Sequence, residues 1–345
     1  MKTKGLFFAA LLAAVAGTCA PPAAHAEADE IRIARQYGIG YLPLAVMEHD
    51  KLIEKHASAA GIKDLKVTWS SFAGANVMND ALLSNSLDFA AVGTTSLPVM
   101  WSKTAGSKQE VKGVCAIVSS PLFLNTRNPD VKSIRDLTDK DRIALPAVKV
   151  SIQAIILQMA AAKEFGDDQV NKLDRLTISR AHPDAMAALL SGKGEINGHF
   201  TWAPFQYREL EAPGVHTILN SYDVLGGPAT TVVMLGTRRF HEENPKLYRA
   251  FLEAAAEATA IIKQDKRHAA QVYLDTTKDK DSVDNIVKML SDPQVQYTTL
   301  PANISRYTDF MHRMGIIKKV PDSWQDMFFP EVFALGQAGA TAAAK

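Results

Sequence analysis

The chain has 345 residues, 47% of them apolar and 22% charged, with a formal charge of +1. That length supports two ordinary-sized cores, and the mixed composition excludes a disordered or collagen-like chain. The near-neutral balance gives no basic face, so no nucleic-acid partner is expected.

Residues 1–26 read as a cleaved secretory signal peptide rather than structure. Lys2 and Lys4 form a basic start, 6–16 is a short apolar run, and Ala24-His25-Ala26 is an A-x-A cleavage site. Their loss takes the formal charge from +1 to −1 and leaves one of the two cysteines, Cys115, which cannot form an internal disulfide and reads as a small core residue.

Residues 31–47 open the mature chain. Apolar Ile31 and Ile33 make a strand, Gln36-Tyr37-Gly38-Ile39-Gly40 a small-residue loop, and Tyr41-Leu42-Pro43-Leu44 the start of a helix. Glycines let backbone approach a guest, Pro43 suits a first helical turn, and a helix start presents free N–H groups. The loop is expected to be one lip of a cleft. Apolar spacing predicts a helix over 44–55, a strand at 65–69, a helix at 76–83, a strand at 87–92 and a helix from Gly93-Thr94-Thr95-Ser96 toward Trp101. Strand–loop–helix recurs three times, which implies parallel pairing with right-handed crossovers.

Residues 111–119 form a further strand, after which the chain starts a second βα series. Strands are expected at 122–125, 143–146, 173–178, 195–200 and 215–219. Helices are expected from Ser151 to about Lys163, over 182–190, and from Trp202-Ala203-Pro204-Phe205, with Ser133 capping a helical turn before them. Residues 226–235 look like a strand returning to the first unit, 242–313 is nearly all helical, and 336–345 is a loose tail.

No catalytic signature is present. Gly38-Ile39-Gly40-Tyr41-Leu42-Pro43 lacks the third glycine of a dinucleotide fingerprint, and G-x-S-x-G, C-x-x-C and H-E-x-x-H do not occur. His182, His199 and His216 read as neutral surface or loop histidines rather than zinc ligands, so neither metal nor cofactor is expected. Five strand ends carry groups suited to ligand capture. From them the expected ligand-binding residues are Gln36, Tyr37, Gly38, Tyr41, Phe72, Gly74, Ala75, Thr94, Thr95, Lys149, Ser151, Gln153, His199 and Trp202. Hydroxyls and helix N-termini would donate to an anion, Lys149 would add a full charge, and the aromatic rings would wall the organic part. Arg35, on the strand, is expected to point away.

The signal peptide, I-R-I-A-R-Q-Y-G at the start, S-L-D-F-A-A-V-G-T-T-S at 86–96 and I-N-G-H-F-T-W-A-P-F at 196–205 together resemble periplasmic solute-binding proteins of ABC importers, in the aliphatic sulfonate, taurine and nitrate group. The likeness spans about residues 30–320. It implies an α/β fold of type II-like architecture: two lobes, each a mainly parallel sheet flanked by helices, joined by a hinge. Lobe 1 would comprise 27–119 plus 228–345, and lobe 2 would comprise 120–227. It further implies a non-enzymatic periplasmic monomer that captures a small organic anion, foremost an alkanesulfonate or related sulfonate, between the lobes and docks on a membrane permease; charge alone leaves a neutral or aromatic ligand open. Related sulfonate binders often read W-D-P where this chain has Trp202-Ala203-Pro204. Without an Asp to pair a ligand ammonium, Ala203 disfavours an aminosulfonate such as taurine. An enzyme of the pyrimidine-precursor type and a receptor-docking sensor subunit are alternatives on the same fold, the first opposed by the single mature cysteine.

Overall fold

The computed structural model describes residues 27–334; the expected signal peptide and the whole of the expected tail lie outside the described residues. The first series runs β1 (Glu30–Arg35), α1 (Leu42–His49), α2 (Leu52–Ala59), β2 (Lys66–Ser71), α3 (Ala75–Leu83), β3 (Phe89–Gly93), α4 (Ser96–Thr104) and β4 (Val111–Ser119). The second runs β5 (Phe123–Thr126), β6 (Ile143–Leu145), α5 (Ile152–Phe165), β7 (Thr177–Ser179), α6 (His182–Ser191), β8 (Gly198–Thr201), α7 (Phe205–Leu210), β9 (His216–Asn220) and α8 (Ser221–Leu225). The chain then continues through β10 (Val232–Thr237), α9 (Arg238–Glu243), α10 (Pro245–Gln264), α11 (Lys266–Thr277), α12 (Val283–Leu290), β11 (Gln296–Tyr297) and α13 (Ser305–Arg313).

These elements build two sheets. The first has the order β11-β4-β10-β3-β1-β2 and the second β7-β6-β8-β5-β9. The βα repeats are parallel, as their crossovers require: β1 pairs parallel with β2 and β3, and β6 with β7 and β8. The strands that enter and leave the series are antiparallel, namely β10 against β3 and β4, and β5 against β8 and β9. Both sheets are therefore mixed rather than mainly parallel.

Burial explains why the apolar runs became strands. β3 (FAAVG) is buried along its whole length, the pattern of a strand covered on both faces. Its Phe89 stacks on Phe251 of α10 at 4.2 Å and meets Phe240 of α9 edge-on at 5.0 Å. α10 buries Leu247, Phe251, Ala254, Ala255, Ala258 and Ile262, a stripe at helical spacing. Cys115 is buried in β4, and that burial pushes its thiol up to about 12.

Some local expectations fail for identifiable reasons. The helix expected over 44–55 is broken at Lys51, whose φ of 52° is left-handed, and both halves lie against α10. The strand expected at 173–178 is reduced to β7, because 174–176 tighten into a 3-10 turn. Likewise, 226–231 form no strand; Gly226, with φ 75°, caps the short α8, which was not anticipated.

Two segments cross between the sheets, 120–122 and 226–231, and they run side by side. Thr231 Oγ1 accepts from Ser120 N (3.0 Å) and donates to Ser120 O (2.8 Å), while Thr231 N donates to Val118 O (2.8 Å). Leu122 N donates to Ser221 Oγ (2.8 Å), and Ser221 N returns a bond to Leu122 O (2.9 Å).

Candidate functional site

The carboxyl ends of strands from both sheets converge on one small cavity. The side of the first sheet contributes Gln36, Tyr41, Ala75, Gly93 and Ser96; the side of the second contributes Ser151, Ile152, Gln153, His182 and Trp202. Its volume is about 10 Å³, room for about one water molecule. An organic ligand therefore enters only if the two sides part.

Six of the residues expected from sequence meet here: Gln36, Tyr41, Ala75, Ser151, Gln153 and Trp202. Ser151 also caps α5, its hydroxyl accepting from Ala154 N at 3.3 Å. The other eight lie elsewhere. Tyr37 is at the rim, 40% exposed. Gly38 lies under Trp202, and Gly74 approaches the carbonyl of Pro146. Phe72 is half-buried and packs on the core rather than lining the cavity. Thr94 donates its hydroxyl to Thr230 O at 2.8 Å and so holds a crossing segment. Thr95 is buried, its hydroxyl without a partner among the described residues. Lys149 adopts φ 65° and lines a separate groove of about 600 Å³ with Asp174 and Arg175, so the expected full positive charge is absent from the cavity lining. Arg35 points away as expected, against Glu48 and over the Trp69 ring at 5.4 Å.

Trp202 locks the two sides together. Its indole N–H donates to Tyr37 O at 3.1 Å, and its ring stands edge-on to Tyr41 at 5.1 Å. Beside it, Ile39 N donates to Ala203 O (3.1 Å), and Ile39 O accepts from the Tyr297 hydroxyl (2.8 Å). The loop has glycines because the indole lies flat against its backbone. A Cβ on Gly40 would fall 2.8 Å from Trp202 Cζ3, and one on Gly38 only 2.4 Å from Nε1. Gly38 also has φ 124°, where an L side chain costs about 1–3 kcal/mol. Gly38→Ala is accordingly expected to weaken ligand binding about tenfold by holding the sides apart. Titration calorimetry measures this, and wild-type affinity in the variant would show that the contact plays no part in closure.

Behind the cavity runs a buried chain of polar groups that sequence reading missed. His182 Nδ1 and His199 Nε2 are 2.9 Å apart, and His199 Nδ1 lies 2.5 Å from Glu209 Oε1. Glu209 Oε2 accepts from Asn125 Nδ2 at 3.0 Å. At the cavity end, the Gln153 amide is 3.3 Å from His182 Nε2. The reading of His182 and His199 as surface or loop histidines is thus overturned. Helix α6 and strand β8 bury both imidazoles inside the second sheet's unit, with relative exposures of 3% and 0%. His216, half-buried, bonds Val131 O instead. Burial pushes Glu209 up to about 8, against a lowering bond from Asn125, and pushes His199 down to about 3. His182 is driven well below the ordinary imidazole range by burial and by the neighbouring His199. His182 carries one local signal: it opens a helix, followed by Pro183.

α7 also reaches across the boundary. Arg208 forks onto two carboxylates between α11 and α12, Asp279 (2.9 and 3.0 Å) and Asp281 (2.8 and 3.0 Å). The Tyr207 hydroxyl donates to Asp292 at 2.5 Å. Among the described residues no group of three or more His, Cys, Asp or Glu is placed to hold a metal, and no helix is long and apolar enough to cross a membrane.

A model of the NMT1-like family matches residues 24–274. No curated protein sequence matches the chain. Among solved structures, it is similar to the alkanesulfonate-binding protein SsuA from Xanthomonas axonopodis pv. citri bound to MOPS (TM-score 0.64, 18% identity, 85% of this chain and 96% of that one). It is similar to the periplasmic aliphatic sulphonate-binding protein SsuA from Escherichia coli (TM-score 0.61, 20% identity, 87% and 99%). The periplasmic nitrate-binding protein NrtA from Synechocystis PCC 6803 is a third (TM-score 0.65, 15% identity, 87% and 84%). The shared feature is the periplasmic binding protein fold.

Proposed function

This chain belongs to the NMT1-like family, and on that premise we propose that it is the periplasmic substrate-binding component of an ABC-type importer, capturing a small organic anion without transforming it. The proposed lobes are 27–119 plus 228–345 and 120–227. The observation that carries the reading is that the cavity is built from strand ends of both sheets and closed by direct bonds between them, Trp202 Nε1 to Tyr37 O and Ile39 N to Ala203 O. A ligand held there touches both lobes, so its binding energy favours the closed form, which would dock on the permease.

The anion is proposed from the donors around the cavity. The Ser96 and Ser151 hydroxyls stand at the starts of α4 and α5, whose free N–H groups and positive dipole ends favour negative charge. Among the described residues no full charge lines the cavity, so the head group would be held by neutral donors. Trp202, Tyr41 and Ile152 would cover an alkyl part. A short alkanesulfonate fits this division best, and Ala203 leaves nothing to pair the ammonium of taurine.

The test is a thermal-shift series with sulfonates, taurine, nitrate, carboxylates, aromatic acids and pyrimidines. A ligand at a hundred times its Kd stabilises by about 2.7 kcal/mol. The expected result is a concentration-dependent shift with alkanesulfonates and a smaller one with taurine. A shift with pyrimidines and none with any anion would overturn the anion, and silence across the series would overturn the binder.

A further inference from the structure

We propose that Glu209, His199 and His182 form a proton wire that sets what the second lobe offers the ligand: an N–H from His182 Nε2 when the wire holds its extra proton, a lone pair when it does not. This rests on the reading of the cavity as an anion site, because an anion accepts from the first form and is repelled by the second.

The polarity of the wire is fixed at its buried end. Asn125 Nδ2 also donates to Gln206 O (3.0 Å), and its Oδ1 accepts from the Thr217 hydroxyl (2.7 Å), so the amide cannot turn over. Glu209 Oε2 is therefore always an acceptor, and a proton on this carboxyl must sit on Oε1, facing His199. With that proton, Oε1–H donates to His199 Nδ1, His199 Nε2–H donates to His182 Nδ1, and His182 Nε2 carries its hydrogen toward the cavity. Without it, every bond reverses: Gln153 Nε2 donates to His182 Nε2, His182 Nδ1–H to His199 Nε2, and His199 Nδ1–H to the carboxylate. Thr201, with its hydroxyl 3.0 Å from His182 Nδ1, rotates to suit either form.

Conversion consumes one proton from solvent and balances along the chain. A proton binds His182 Nε2, the Nδ1 proton of His182 passes to His199 Nε2, and the Nδ1 proton of His199 passes to Glu209. The net charge of the three groups goes from −1 to neutral. The acceptor form satisfies every nitrogen and oxygen of the chain, and the donor form does so when the His182 Nε2–H meets the ligand or the oxygen of a Gln153 amide that has turned over.

The wire is electrically isolated. Facing it are Asn125 from β5, Thr217 from β9, Thr201 from β8, Gln153 from α5, and the Phe205 and Trp202 rings, all uncharged. Arg208, next to Glu209 in sequence, is engaged outward by Asp279 and Asp281. Across the cavity, burial keeps the Tyr41 phenol protonated far above its ordinary range. Burial raises Glu209 to about 8, so the donor form holds below that pH and is lost above it.

The test has a ligand-free arm and a binding arm, both on the full protein. ¹⁵N NMR of histidine-labelled protein should show His182 Nε2 protonated at pH 6 and bare at pH 9.5, with Nδ1 changing the opposite way. In Glu209→Gln, the amide N–H mimics the acid by donating to His199, and His182 Nε2 should stay protonated throughout. In calorimetry with methanesulfonate, wild-type affinity should fall about tenfold per pH unit above pH 8. Paired buffers of different ionisation enthalpy should then report uptake of about one proton on binding at pH 9. Glu209→Gln should lose both the slope and the uptake, whatever its absolute affinity. One unchanging His182 tautomer, or the same slope in the variant, would overturn the wire. If neither methanesulfonate nor nitrate binds at pH 6 while the tautomer still switches, the wire stands and the anion reading falls.

Discussion

Trp202→Ala is expected to weaken ligand binding by a hundredfold or more while leaving both sheets folded. The indole is 4% exposed, yet most of its contacts cross the boundary: the Tyr37 carbonyl, the backbone of Gly38 and Gly40, and the Tyr41 ring. Truncating a buried tryptophan costs about 3–5 kcal/mol in a closed core. On the proposed division into lobes the void lies between two units that part, so most of the cost falls on the closed form rather than on folding. At about 1.4 kcal/mol per factor of ten, two or more orders of magnitude in affinity follow. Calorimetric titration beside a thermal melt separates the outcomes. Unchanged affinity would remove Trp202 from the site, and a collapsed melt would make it an ordinary core residue.

Arg208→Ala is expected to open the protein. The Arg208, Asp279 and Asp281 side chains are 19%, 16% and 11% exposed, and the guanidinium serves both carboxylates at once. Removing it leaves two poorly hydrated like charges side by side, and breaking such a buried pair costs about 3 kcal/mol or more. Parting the units hydrates both aspartates, so the shift appears as a larger radius of gyration in solution scattering and about a hundredfold weaker binding. Arg208→Lys should not rescue it, because an ammonium lacks the planar fork. The latch also has a pH sign. Burial alone would raise Asp281, but bonds from Asn285, Ser282 N–H and Arg208 leave it below the ordinary carboxylate value. Its contribution is present above that ordinary value and lost only as pH falls through the lowered one. A compact Arg208→Ala with wild-type affinity would dismiss the latch.

The repeating units were legible because their signals are local. Apolar runs such as FAAVG in β3 and the cap at Ser151 sit within a few residues of the elements they specify. The placement of small and hydroxyl residues after strands identified five of the six chain segments that reach the cavity. What escaped is what depends on distant partners. Trp202 meets Tyr37 across 165 positions, and His182, on the one segment not foreseen, acquires its role only because β8 delivers His199 beside it. Lys149 failed for the opposite reason: one left-handed residue, invisible to periodicity, turned its side chain into another groove. Thr94 was read as a ligand donor because a hydroxyl after a strand suits either role, and the crossing segment's carbonyl claimed it.

The bonding at Thr231 restricts more than local geometry. One hydroxyl engages both the N–H and the carbonyl of Ser120, so the outgoing and returning segments are tied into a single ribbon. Two independent tethers would allow twisting, sliding and shearing; a tied pair leaves essentially one rotation. The proposed lobes should then swing as a door does on its pin. Spin-label distances measured across the mouth at two separate places should rise and fall in fixed proportion, tracing a single coordinate from open to shut.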